Sequence, residues 1–102
     1  MSDYVYFVQG SDPNGPIKIG VGTNPGERLV SLQCGNWDEL CILGISRARG
    51  AAHRVEARLH QRFAASRIRG EWFRRTPELI DEICALCYPD ENWNSGSMEA
   101  AQ

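Results

Sequence analysis

The chain has 102 residues, 42% of them hydrophobic, enough for one compact domain with a modest core and too few for a second. Its formal net charge is −2, so it is not a basic protein and bulk charge gives no argument for nucleic acid. No run approaches the roughly 18 apolar residues of a membrane span, and MSDYVYFVQG has no basic region ahead of an apolar one; the reading is a soluble, cytoplasmic protein without a membrane partner, its cysteines Cys34, Cys41, Cys84 and Cys87 reduced.

Tyr4 to Gln9 (YVYFVQ) is dense in aromatic and β-branched residues and stops at the turn-rich stretch Gly10-Ser11-Asp12-Pro13-Asn14-Gly15-Pro16. Ile17 to Val21 (IKIGV) resumes the β pattern, and the two runs predict a hairpin. In the expected register one face carries Tyr4, Tyr6, Lys18 and the bare backbone of Gly20, where a ligand can approach closely. Strand packing alone explains either tyrosine, but it does less well with Lys18, the only lysine, placed between apolar neighbours.

Asn24, Pro25 and Glu27 open a short helix, with Leu29 and Leu32 turned to the core and Arg28 on another side. Leu40 to Ser46 (LCILGIS) is almost continuously apolar, which predicts a strand buried on both faces in the middle of the sheet. A second helix is expected from about Gly50 to Ser66. Ala52, Val55, Leu59 and Phe63 form its core stripe, and Glu56 and His60 a second row at the core's edge. Thr76-Pro77-Glu78 starts a third helix, buried through Leu79, Ile80, Ile83 and Leu86 as far as Tyr88-Pro89.

These elements predict an α+β sandwich: a three-stranded, mainly antiparallel sheet flanked by about three helices in the order β-β-α-β-α-α. The domain is expected over residues 1–89, and 90–102, polar and aperiodic, as a flexible tail.

Charge is unevenly placed. Ten of the eleven cations are arginines, concentrated between Arg47 and Arg75 and flanked by acidic stretches. Arg47, Arg49, Arg54, Arg58, Arg62, Arg67 and Arg69 are therefore candidate contacts to the phosphates of a polyanion, which the planar guanidinium suits. Glu56 beside them is either an ordinary helix-surface acid paired with His60 or a hard oxygen ligand for Mg²⁺ or Mn²⁺. Zinc at Cys84-x-x-Cys87 is disfavoured, because the pair falls in an apolar helical run without the usual turn; buried thiols are expected there. A nucleophilic Cys–His arrangement finds no support, since no cysteine sits in a turn beside a base.

The ordered set Tyr4-Val5-Tyr6, Lys18-Ile19-Gly20, Arg28, Glu56-Ala57-Arg58-Leu59-His60 and Gly70-Glu71-Trp72-Phe73 resembles the GIY-YIG endonuclease superfamily, and within it the short branch of phage and meiotically regulated fungal proteins. The resemblance runs from about Tyr4 to Ile83. It implies a divalent-metal-dependent DNA endonuclease, acting on double-stranded or branched DNA with a single Mg²⁺ or Mn²⁺. By position, Tyr6 would activate or orient the attacking water, Arg28 would steady the phosphate, and Glu56 would hold the metal. Tyr4, Lys18 and His60 complete the implied catalytic set. Tyr4 stands where the pattern has its first glycine, Lys18 replaces the second tyrosine, and the late asparagine of many members has no counterpart. Gly70 to Phe73 reads as structural, with Gly70 ending the second helix. Two other functions fit the same residues: a non-cleaving nucleic-acid-binding module and a small protein-interaction domain. A monomer and a weak dimer are both open.

Overall fold

The computed structural model describes residues 3–87; the expected tail lies outside them, as do Tyr88 and Pro89. The chain runs β1 (Tyr4–Gln9), β2 (Ile17–Gly22), α1 (Pro25–Gln33), β3 (Cys41–Arg47), α2 (Ala52–Arg62), a 3₁₀ turn at Ala64–Ser66, β4 (Arg67–Arg69), β5 (Trp72–Phe73) and α3 (Pro77–Leu86). The class is α+β, as expected. The sheet has five strands rather than three, in the order β3-β1-β2-β5-β4, with every neighbouring pair antiparallel.

The two added strands come from RIRGEWF, a stretch too short for a periodicity signal. β4 and β5 form a small hairpin whose turn holds Gly70 at φ +56, a left-handed conformation that glycine adopts at little cost. Gly70 thus turns a hairpin rather than ending a helix. Correspondingly, α2 is shorter than expected, stopping at Arg62.

β1 and β2 pair in the expected register, Tyr4 opposite Gly22, Tyr6 opposite Gly20 and Val8 opposite Lys18. One face of the sheet buries Val5, Phe7, Ile17, Ile19 and Phe73 against Ala52, Leu59 and Phe63 from the α2 segment and Leu79 and Ile83 of α3. The other buries Tyr6, Val8, Ile42 and Ile45, with Leu29 and Leu32 of α1 and Trp72 packed against them. Each such side chain contributes about 1.5–3 kcal/mol relative to exposure. Both helix starts form as the capping residues predict: Asn24 accepts from the amide of Glu27 at 3.1 Å, and Thr76 from that of Leu79 at 3.1 Å.

The third strand is misplaced by the sequence reading. β3 lies at the edge of the sheet, paired only with β1, and a bulge between Phe7 and Val8 leaves Leu43 without a register partner. An apolar run reports that both faces are covered, here by α1 and α3, and says nothing about whether both edges are paired.

Candidate active site

The site assembles around three consecutive residues of β2: Lys18, Ile19 and Gly20. β5 pairs only with Ile17 and Lys18, and the carbonyl of Glu71 then accepts the Ile19 N–H at 2.9 Å, so the hairpin turn sets Glu71 against β2. Lys18, only 8% exposed, donates to Glu71 Oε1 at 2.6 Å. From α2, His60 Nε2 lies 3.2 Å from the Ile19 carbonyl oxygen, and its Nδ1 3.2 Å from Arg67 Nη2. A carbonyl can only accept and a guanidinium can only donate, so Nε2 carries the proton and Nδ1 is the acceptor. With both nitrogens engaged and its ring centroid 5.0 Å from that of Phe73, His60 is a strut joining α2, β2 and β4.

Tyr6 comes from β1, on the face that carries Lys18 and Gly20. It is 2% exposed and lies across Gly20, where a Cβ would fall 2.7 Å from its hydroxyl and 2.8 Å from its ring. Arg28, leaving the first turn of α1, donates from Nε to the Tyr6 hydroxyl at 3.3 Å. One lone pair of that oxygen is thereby occupied, and the O–H remains able to donate outward. Tyr4 stands two residues away under Arg47, whose guanidinium is 5.6 Å from its ring.

Glu56, one turn before His60, completes the cluster: its Oε2 is 3.8 Å from His60 Nε2, and single donor atoms of Glu56, His60 and Glu71 all lie within 4.8 Å of one another. Burial and then the neighbouring Glu71 carboxylate push the Glu56 carboxyl above its ordinary value. Burial also pushes Glu71 up, but the hydrogen bond and charge of Lys18 more than reverse it, so Glu71 is held low. Of the two, Glu56 is therefore the first to take up a proton as pH falls.

Residues 3–87, the whole described span, match the T5orf172 domain. The chain belongs to the T5orf172 domain family. That domain occurs in phage and nuclease-like proteins, which points to a nucleic-acid-related function. No curated protein and no solved structure matches the chain.

In this T5orf172 domain the donor set fits a hard divalent cation. Two carboxyl groups lie close enough together for Glu71 to push Glu56 up, and a cation between them would relieve the repulsion. Glu56 and Glu71 are the groups to hold it, because His60 can ligate only by giving up Ile19 or Arg67. Glu71 was missed as a site residue in the sequence reading. The available signal was the acid inside Gly70-Glu71-Trp72-Phe73, facing a lone lysine that needed a partner.

The arginines do not form one wall. Arg47 ends the edge strand β3, whereas Arg67 and Arg69 lie on β4 at the opposite edge. Arg54 and Arg58 sit on the outer face of α2, Arg49 in the turn before it, and Arg62 pairs with Glu82 of α3. Arg28 bonds to Tyr6 and Arg67 to His60. Of the two thiols expected to be buried, Cys84 is exposed and Cys87 half-buried; Cys34 is exposed and Cys41 half-buried, and all four are free. None of the described helices is long and apolar enough to cross a membrane.

Proposed function

We propose that this T5orf172 domain is a divalent-metal-dependent DNA endonuclease of the GIY-YIG type that hydrolyses phosphodiester bonds at the Lys18–Gly20 segment. The observation that carries the reading is the close grouping of Glu56 and Glu71, the latter bonded to Lys18, with Tyr6 and its partner Arg28 at Gly20 two residues along the same strand. A metal ion ligated by Glu56 and Glu71, Mg²⁺ or Mn²⁺, would supply charge stabilisation to the phosphoryl oxygens and a more acidic water. Arg28 uses only Nε on Tyr6, leaving its remaining N–H donors for a phosphate. Tyr6 keeps an O–H free to orient a water or a phosphate oxygen. The exposed arginines at 47, 49, 54, 58, 67 and 69 supply affinity for the backbone of double-stranded or branched DNA from several directions.

Lys18 also supports a second reading, a module that binds without cutting. Its ammonium already neutralises Glu71 and so occupies the electrostatic place of a cation.

Plasmid and branched DNA incubated with Mg²⁺ or Mn²⁺ distinguish the two. Nicking by the wild type, reduced about 100-fold or more in Glu56→Gln, supports the endonuclease. If the wild type nicks no more than Glu56→Gln while DNA binding falls steeply with salt, the non-cleaving module stands.

A further inference from the structure

Beside the cluster, on the far side of Trp72, lies a cavity of about 320 Å³ that the proposed hydrolysis does not use. Its apolar walls are Pro16, Leu40, Ile68 and Trp72, and its polar ones include Asn36 and Arg69. The volume is at the lower end of small-ligand sites, near the size of one nucleotide.

The rim is held in place. Gln33 Nε2 donates to the carbonyls of Asn36 at 3.0 Å and Asp38 at 2.7 Å, and its Oε1 accepts from the amide of Leu40 at 2.8 Å. Asp38 then reaches the β1–β2 loop, accepting from the Ser11 hydroxyl at 2.6 Å. That bond, with smaller backbone contributions and against a little desolvation, holds its carboxyl below the usual range. A surface loop with this many internal bonds is preformed, which lowers the cost of ordering it around a ligand.

Three features indicate what fits. Trp72 presents an indole to the cavity, stands opposite Lys18 and is adjacent in sequence to Glu71. Trp37 offers a second indole, 95% exposed, between two lining residues. The Arg69 side chain makes no hydrogen bond or ion pair among the described residues, unlike those of Arg62 and Arg67. Asp12 and Asp38 also line the cavity; they disfavour a bare phosphate on its floor and suit an exocyclic amino group.

We infer that this cavity receives one unpaired nucleobase of a nucleic-acid strand, stacked on Trp72, its amino group toward the Asn36–Asp38 loop and its phosphate toward Arg69. The inference rests on the nucleic-acid reading of the domain and not on cleavage. Stacking on an aromatic side chain tolerates every base, whereas the carboxylates favour adenine and cytosine over thymine.

Nuclear magnetic resonance titration of the full chain in EDTA, with AMP, CMP, TMP and inorganic phosphate, tests it. AMP and CMP should shift the Trp72 indole N–H and the Asn36 side-chain amide saturably, TMP more weakly, and phosphate not at all. Ile68→Asp and Arg69→Ala, both at exposed positions of β4, should each weaken binding about fivefold while the spectrum elsewhere stays that of the wild type. Shifts reproduced by phosphate alone, shifts confined to the arginines of α2, or no saturable shift would overturn the assignment. Without divalent metal or a phosphodiester, this outcome is independent of the nicking assay, so either reading can fail while the other stands.

Discussion

Lys18 Nζ and Glu71 Oε1 are 2.6 Å apart, joining the second strand to a turn fifty-three residues later. The pair balances one of two adjacent carboxyl groups. Because Glu71 is 40% exposed, solvent screens it, and the coupling in a Lys18→Met, Glu71→Gln double-mutant cycle should be about 1 kcal/mol. Removing the ammonium also removes a competitor for Glu71. Calorimetry should therefore find tighter Mn²⁺ binding by Lys18→Met than by the wild type; weaker binding would mean that Glu71 is not a ligand.

Gly20→Ala should be destabilising although it adds a single methyl group. The new Cβ would sit 2.7–2.8 Å from the hydroxyl and ring of Tyr6, which is itself buried and cannot swing into solvent. Overpacking of this kind costs about 1–3 kcal/mol. Urea denaturation reads it directly, and an unchanged midpoint would show that Tyr6 moves aside freely.

Gln33 makes three side-chain hydrogen bonds to the backbone between Asn36 and Leu40. At about 1 kcal/mol each, Gln33→Ala should lose about 2–3 kcal/mol. Hydrogen exchange at the Leu40 amide should accelerate by a comparable factor while that of Ile19, in the sheet, changes only with global stability. Equal acceleration at both amides would show that the loop has no local stability of its own.

Thiol alkylation should separate the cysteines. Cys34 and Cys84 are exposed and should react first. Burial, and secondarily Cys84, push the Cys87 thiol up to about 12, so near pH 8 almost none of it is the reactive thiolate. Timed iodoacetamide labelling read by mass spectrometry should find Cys87 modified last in the native protein and at the common rate in denaturant. Early modification of Cys87 would contradict its packing against Gly44 of β3.

Much of the frame was legible because local chemistry specified it. The alternation of Tyr4 to Gln9 and Ile17 to Val21 gave the hairpin and its register, and Asn24 and Thr76 marked two helix starts. The position of β3 was not legible: hydrophobicity records covered faces, whereas edge or centre depends on which backbone finds a partner. Arg67 and Arg69 were read from composition only as phosphate contacts; Gly70 turns them into a strand.

By itself the sequence determined the α+β class, the tyrosine face with Lys18 and Gly20 on it, and the pairing of Glu56 with His60 by helical spacing. Those follow from periods of two and 3.6 residues that any reader of the chain can count. Only the tertiary structure decided that Glu71 joins Glu56, that His60 has both nitrogens engaged, and that Tyr6 meets Arg28 over a bare strand. These contacts link residues seven to forty-one positions apart, and that of Glu71 depends on a two-residue strand ending where it does; no local propensity encodes such closures.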